Sequence, residues 1–137
     1  MLTRLKSINW VLLGGDLVAL GLFVYAGQRD HETVSDANPL LGVLGTALPF
    51  ALTWACAGFA LGAFRAERPL NPRAFFAALI NTWLVAVPLG LLLRSLILGR
   101  ATIPTLFVIT GYGFIALFLL AWRLLFWWIV QRQKPKP

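Results

Sequence analysis

The chain has 137 residues, of which 59% are hydrophobic and 12% are charged, and its formal net charge is +7. An ordinary soluble domain is about 25% charged, so this composition argues against a soluble enzyme and excludes a disordered chain. The twelve Lys and Arg residues are scattered between apolar runs, a pattern that is typical of a membrane protein and argues against a nucleic-acid partner.

Four apolar runs cover residues 8–27, 40–64, 74–98 and 103–130, and each is at least 20 residues long. A helix of about 20 residues crosses a hydrocarbon layer of about 30 Å. A β-barrel is a poor alternative, because its strands show weak alternation over about 10 residues. We therefore predict an all-α integral membrane protein with one domain, residues 1–137, formed by a bundle of four transmembrane helices.

The breaks between the runs carry signals for helix ends. Asn38-Pro39 and Asn71-Pro72 each combine a preferred N-cap residue with a proline at the first helical position. The third break is the turn at residues 99–102, and the tail after residue 130 is basic. No connection is long enough to separate two domains.

The basic residues indicate how the helices are oriented. Lys and Arg are enriched in cytoplasmic loops, and only Arg29 and Arg100 fall on the side of the first loop. We therefore expect both termini to be cytoplasmic, in a multi-pass protein of the cell inner membrane. Eight basic residues fall on the opposite side: Arg4, Lys6, Arg65, Arg68, Arg73, Arg132, Lys134 and Lys136.

A cleaved signal peptide is an alternative interpretation of the N-terminus, because Val24-Tyr25-Ala26 resembles a cleavage site. The apolar run before it is longer than the usual 7–15 residues, and it contains Asp16. We therefore expect the first run to be retained as a helix.

Asp16 lies near the middle of the first run, where a carboxylate costs about 2.5–3.5 kcal/mol. Counting residues at about 1.5 Å each places Asp16 and Arg123 at similar depths from the cytoplasmic side, and places Arg94 much farther away. We predict an ion pair between Asp16 and Arg123. It is either a clamp that determines helix packing or a protonatable, substrate-contacting site. The other possibility is a protonated Asp16 that is hydrogen-bonded to Asn9, to a threonine or to the backbone.

Two further polar residues fall on the outer side. Arg94, about four residues from the end of its helix, is predicted to extend its guanidinium to the outer headgroups; an anion contact is the alternative. His31 lies in the run Arg29-Asp30-His31-Glu32 and is predicted to be a solvated loop residue. Ligation of a pigment or pH sensing are its alternative roles.

Several residues are candidates for packing and anchoring. Small residues at a spacing of about four allow close helix contact in lipid, within this bundle or against another protein, and in the second run they are Ala47, Ala51, Ala55, Gly58 and Gly62. Aromatic and basic residues at the cytoplasmic end are expected to act as interface anchors: Trp127, Trp128, Arg65, Arg68 and Arg73.

The chain has one cysteine, Cys56, and one histidine, His31. It therefore has no intrachain disulfide, and a structural zinc site or an iron–sulfur cluster is not expected. We expect no cofactor ligated by this chain alone. The phenylalanines of the fourth run leave open a bound lipid, quinone or carotenoid. They are Phe107, Phe114, Phe118 and Phe126.

Short motifs are spread along the chain: Gly15-Asp16-Leu17-Val18-Ala19, Phe23, Gly27, His31, Trp83, Val87-Pro88-Leu89-Gly90, Leu92-Leu93-Arg94, Phe107 and Ala121-Trp122-Arg123. Together they resemble a family of small prokaryotic membrane proteins known as domain of unknown function three-zero-five-four. The resemblance covers roughly residues 8–128 and implies a four-helix membrane protein, but no activity. Trp127-Trp128 and the Lys-Pro tail are not features expected of that family.

No nucleophile–base pair and no phosphate-binding loop is apparent, so an enzyme is not expected. We expect a non-catalytic accessory subunit of a larger membrane complex that contacts lipids and other membrane subunits. Respiratory or photosynthetic electron-transfer complexes are the first class to consider, by analogy. The alternative is a small oligomeric transporter or channel with a polar site at Asp16 and Arg123.

Overall fold

The structure is a computed structural model that describes residues 7–30, 38–99, 102–103 and 105–133. Its elements are the helices α1 (Trp10–Asp30), α2 (Pro39–Ala60), α3 (Pro72–Ile97) and α4 (Thr105–Arg132), and a 3-10 turn at Arg68–Leu70. All four helices are long and apolar enough to cross a membrane. The prediction of an all-helical protein with four membrane-spanning helices is therefore confirmed.

Three asparagines begin the first three helices. The side-chain oxygen of Asn38 accepts a hydrogen bond from the Leu41 N–H, and that of Asn71 accepts one from the Ala74 N–H. The two Asn-Pro signals therefore mark helix starts as predicted. The Asn9 side chain does the same for the Leu12 N–H at 3.0 Å, so α1 begins after Asn9.

The end of α2 differs from the prediction. The helix ends at Ala60 and not at residue 64, because Gly62 has a φ of +67°, a left-handed conformation that glycine adopts without a steric penalty. The spacing from Gly58 predicts that Gly62 is a helix-packing residue. This prediction is wrong, because Gly62 lies in the turn after α2. Gly58 is still closely packed, because a Cβ there would lie 2.3 Å from the Phe64 ring.

The helices form a ring in chain order: α1 contacts α2 and α4, and α3 contacts the same two helices. An isolated antiparallel bridge joins Ile8 to Arg65, and the Gln131 side chain donates a hydrogen bond to the Pro69 carbonyl at 3.2 Å. The start of α1, the α2–α3 connection and the end of α4 therefore meet at one end of the bundle. We call it the basic end, after its arginines Arg65, Arg68, Arg73 and Arg132.

The most extensive helix contact is between α2 and α3. Gly90 on α3 allows it, because a Cβ at this position would lie 2.6 Å from the ring of Phe50 on α2. At the α1–α2 contact, Ala47 is buried with Val24 and Val43, whereas Ala51 and Ala55 are half-buried. Two of the predicted small residues of α2, Ala47 and Gly58, are therefore fully packed inside the bundle.

All four helices also carry large apolar side chains on their outer surfaces. Examples are Trp10, Leu41, Leu96 and Leu106, which are all more than half exposed. In a membrane-spanning protein this surface contacts lipid. The bundle is thus surrounded by hydrocarbon along its helices and carries its arginine-rich segment at one end.

Candidate functional site

Asp16 and Arg123 form an ion pair inside the bundle. Arg123 Nε lies 2.9 Å from Asp16 Oδ1, and Arg123 Nη2 lies 2.5 Å from Oδ2. This is the two-pronged geometry in which guanidinium and carboxylate groups bind most strongly. Neither residue is exposed. The structure thus brings together the two residues that were paired by their depth in the sequence.

Two tryptophans lie beside the carboxylate. Trp54 of α2 is 1% exposed, and its indole N–H donates a hydrogen bond to Asp16 Oδ2 at 2.9 Å. Trp122 of α4 also lies close to Asp16, but its buried N–H makes no hydrogen bond of good geometry. The carboxylate therefore accepts three hydrogen bonds from two helices, α2 and α4.

The turn after α2 folds back over the ion pair, and we call its residues Gly62–Phe64 the plug. Arg123 Nη1 donates a hydrogen bond to the Ala63 carbonyl at 3.3 Å, and the Arg123 guanidinium carbon lies 5.8 Å from the centre of the Phe64 ring. Ala63 and Phe64 are essentially unexposed. The plug therefore separates the ion pair from the basic end of the bundle.

The plug is held from both sides by backbone and side-chain hydrogen bonds. The Asn9 N–H donates to the Phe64 carbonyl at 2.7 Å, and the Ala66 N–H donates to the Ser7 carbonyl at 2.8 Å. Arg68 Nε donates to the Gly62 carbonyl at 3.1 Å. These bonds satisfy polar backbone groups that would be costly to bury unpaired.

Aromatic rings complete the surroundings of Arg123. Its guanidinium carbon lies 5.2 Å from the centre of the Phe75 ring on α3, and Phe75 stacks on Phe126 of α4 at a centroid distance of 6.4 Å. Both distances from the cation to the Phe64 and Phe75 rings are within the range of cation–π attraction. Side chains from all four helices and the plug therefore meet at this site.

The chemistry open to this arrangement is limited by its closure. Both carboxylate oxygens and three guanidinium nitrogens are engaged in hydrogen bonds, and no side chain of the pair is exposed. Among the described residues, no group of three His, Cys, Asp or Glu residues is placed to hold a metal ion. The arrangement can hold helices together, and it can release or take up a proton only if the bundle opens.

An apolar cleft lies next to the ion pair, between α1 and α4, and opens to the side of the bundle. Its volume is about 460 Å³. Trp122 forms part of its wall and packs directly on Gly15, where a Cβ would lie 2.0 Å from the indole ring. The lining residues are Gly15, Val18, Ala19, Leu22, Leu117, Phe118, Ala121, Trp122 and Leu125.

Of the two polar residues predicted on the outer side, the structure describes Arg94 but not His31. Arg94 is half-buried near the end of α3, and its guanidinium carbon lies 5.4 Å from the centre of the Phe107 ring. It borders a small hollow of about 100 Å³ with Ser95, Thr102 and Ile103. His31 lies outside the described residues.

The predicted anchors at the basic end divide into exposed and packed residues. Trp128 is 47% exposed, and the Arg132 guanidinium carbon lies 3.8 Å from the centre of its ring. Trp127 instead packs against Phe76, and its indole N–H is buried without a hydrogen-bond partner. An interfacial anchor places its indole N–H at the membrane–water interface, and the buried N–H of Trp127 does not lie there.

The arginines of this end divide in the same way. Arg65 and Arg73 are exposed. Arg68 is half-buried and donates hydrogen bonds to the carbonyls of Leu61 and Gly62, so its side chain caps the end of α2.

Sequence reasoning missed Trp54, the plug and Phe75 as parts of the site. For Trp54 a signal was present, because a tryptophan buried in a helix needs a partner for its N–H, and Trp54 lies six residues from the end of α2, about 9 Å from that end. For the plug the signal was Gly62, since glycine commonly follows the last residue of a helix.

Known proteins provide a family but no activity for this chain. No curated protein and no solved structure matches it. The family model described as "Protein of unknown function (DUF3054)" matches residues 13–126, which include Asp16, Trp54, the plug and Arg123. The chain therefore belongs to the DUF3054 family of proteins of unknown function.

Proposed function

We propose that this chain is a non-catalytic subunit of a larger membrane complex, in which the Asp16–Arg123 ion pair holds the four helices in one arrangement. The observation that carries the proposal is the closure of the pair, since both side chains are unexposed and bound to each other, to Trp54 and to the plug. A buried pair of this kind adds little net stability but is costly to break. It favours one specific packing of the bundle.

The outer surface of the bundle supports a role in assembly. In the most apolar window of each span, between 22% and 39% of the residues are buried. Many of the other residues are exposed on the outer surface, where helices contact lipid or the helices of other subunits. The α4 span is the least buried of the four, and we propose it as the first surface to test for a partner.

The class of complex and the orientation are further parts of the proposal. Respiratory or photosynthetic electron-transfer complexes are the first class to test, by analogy with other small helical subunits. The basic end would face the cytoplasm, because Arg65, Arg68, Arg73 and Arg132 lie there and cytoplasmic ends are enriched in basic residues. The protein would then reside in the inner membrane of the cell.

The test is purification from native membranes in a mild detergent, followed by mass spectrometry of the proteins that co-purify in fixed ratio. We expect integral membrane subunits to co-purify with the wild-type chain and with the Arg73→Gln variant, whose side chain is exposed at the basic end. The Asp16→Leu variant is expected to lose them, because the bundle loses its specific packing. Recovery of the isolated chain alone from native membranes would overturn the proposal.

A small oligomeric transporter or channel is the second candidate. An ionisable pair within a membrane is by default a functional hypothesis, and the cleft between α1 and α4 reaches Gly15 and Trp122, the chain neighbours of Asp16 and Arg123. Opening of this contact would expose the carboxylate to the cleft. Proton-coupled flux into vesicles that contain only this chain, abolished by Asp16→Asn, would favour this candidate over the subunit.

A further inference from the structure

The cleft between α1 and α4 has a shape and a position that favour one kind of occupant. Along α1 it runs from Gly15 to Leu22, and along α4 from Leu117 to Leu125, which is about 10–12 Å along the helix axes. Its lining is almost wholly apolar. It lies within the membrane-spanning segments, where the surrounding medium is hydrocarbon.

Small side chains create the cleft. Ala19 on α1 and Ala121 on α4 have short side chains in the lining, and Val18 and Leu125 border the space that they leave. The contact between Gly15 and the Trp122 ring closes its floor towards the ion pair. A flexible hydrocarbon chain fits such a space, since it needs apolar contact without directed hydrogen bonds.

One stripe of α4 connects the cleft to a cation. Residues three and four apart share a helix face, so Ala121, Leu125, Trp128 and Arg132 follow one another along the same side. Arg132 lies seven residues beyond Leu125, about 10 Å closer to the basic end. There its guanidinium is exposed and stacks on the Trp128 ring at 3.8 Å.

A tryptophan and an arginine at the end of a membrane helix sit at the level of the lipid headgroups. A guanidinium there attracts anionic headgroups and binds phosphate through its planar set of donors. The hydrocarbon cleft and the cation on one stripe therefore match the two halves of an anionic lipid.

From this arrangement we infer that the chain binds an anionic glycerophospholipid. One acyl chain lies in the cleft between α1 and α4, and the phosphate contacts Arg132 beside Trp128. This inference is independent of the partner complex proposed above, because it uses only residues of this chain and a lipid of the surrounding membrane.

The test uses the full chain in detergent with an equimolar mixture of phosphatidylglycerol and phosphatidylcholine that have identical acyl chains. Native mass spectrometry counts the lipids that remain bound. We expect the wild-type chain to retain phosphatidylglycerol in preference to phosphatidylcholine. Equal retention of the two lipids would overturn the inference.

Two substitutions separate the acyl chain from the headgroup. Ala121→Phe fills the cleft and is expected to reduce retention of both lipids at least tenfold, whereas Ala77→Phe, an exposed position on α3 outside the cleft, is not. Arg132→Gln is expected to leave retention intact but to reduce the preference for phosphatidylglycerol by about fivefold, the effect of one arginine at an anionic surface. Arg29→Gln, at an exposed position at the other end of the bundle, is its control.

Unchanged retention in the Ala121→Phe variant would contradict the cleft as the acyl-chain site. An equal loss of preference in the Arg29→Gln and Arg132→Gln variants would contradict the headgroup site. Val18→Phe provides a second way to fill the cleft from α1, and its position is 62% exposed, so this side chain is not part of the bundle core. The two filling variants are expected to agree.

Discussion

Arg123 and Asp16 are 107 positions apart in the chain, and two hydrogen bonds of 2.9 and 2.5 Å join them inside the bundle. The ion pair therefore connects the last helix to the first. Because neither residue is exposed, removal of one partner would leave the other as an uncompensated charge in an apolar interior.

We expect Asp16→Leu and Arg123→Leu each to lower the free energy of unfolding by about 3–5 kcal/mol. The double variant is expected to lose much less than the sum, since it leaves no unpaired charge. Reversible unfolding in mixed detergent micelles measures these values, with Arg73→Leu as the control at an exposed position. Additive losses in the double variant would show that the two side chains do not stabilise each other.

A second prediction concerns the hydrogen bond from Trp54 to Asp16. Trp54→Phe removes this N–H and keeps an aromatic ring, so we expect a loss of about 1.5–3 kcal/mol, as for a bond to a charged group. Trp83→Phe is the matched control, because the Trp83 N–H donates to the neutral carbonyl of Tyr112 at 3.2 Å and its loss should cost about 1 kcal/mol. Equal losses in the two variants would indicate that the charge on Asp16 adds nothing to the bond.

The contact between Gly15 and Trp122 leads to a third prediction. An added Cβ at position 15 would lie 2.0 Å from the indole ring, so Gly15→Ala is expected to destabilise the bundle by about 1–3 kcal/mol, the usual cost of overpacking. The neighbouring Gly14 has no atom within 4 Å of such a Cβ, and Gly14→Ala should be neutral or stabilising.

A combined variant shows whether the cost at position 15 arises from this contact. Trp122→Leu removes the ring, so the further change Gly15→Ala should then cost little in the free energy of unfolding. If Gly15→Ala costs as much in the Trp122→Leu background as in the wild type, the indole ring is not the cause.

The backbone at Gly62 provides a fourth prediction. Its φ of +67° costs an L-residue about 1–2 kcal/mol, so Gly62→Ala should reduce stability by that amount. Gly99, with a φ of +62° and open space around it, should show the same cost in a Gly99→Ala variant. Gly45→Ala, in the interior of α2, should instead stabilise the protein by up to about 1 kcal/mol. A higher stability of the Gly62→Ala variant would contradict the left-handed backbone conformation at this position.

Orientation is the subject of the fifth prediction. In a Cys56→Ser background, we expect an impermeant maleimide to label the Thr102→Cys variant, but not the Ala66→Cys variant, when it is added to intact cells. Both positions are exposed, and they lie at opposite ends of α3, because Ala66 precedes this membrane-spanning helix and Thr102 follows it. Inside-out vesicles should reverse the result. Labelling of the Ala66→Cys variant in intact cells would place the basic end outside the cell.

The ion pair could be predicted from the sequence, because the rise per residue of a helix converts residue number into depth in the membrane. Asp16 had one cation at its own level, Arg123, while Arg94 lay near the other end of its helix. No knowledge of helix order was needed, because a charge within a membrane requires a partner at the same depth.

The plug was not predicted, because hydropathy measures how apolar a segment is and does not show whether its backbone continues as a helix or turns. Leu61 to Phe64 is as apolar as the helix before it, and a turn buried against the bundle needs the same side chains as one more turn of helix. The prediction of Trp127 as an anchor was incomplete for a related reason, since adjacent helical residues face directions about 100° apart, and the sequence did not show which one faced inwards.

The two partners of the ion pair are synthesised at different times, because they lie on the first and the last helix. The ribosome delivers Asp16 with the first helix and Arg123 with the last. The Asp16 carboxylate is therefore made before both of its hydrogen-bond donors, the indole of Trp54 on α2 and the guanidinium of Arg123 on α4. Until α4 is made, the first span carries a carboxylate without its guanidinium partner, which is costly in hydrocarbon.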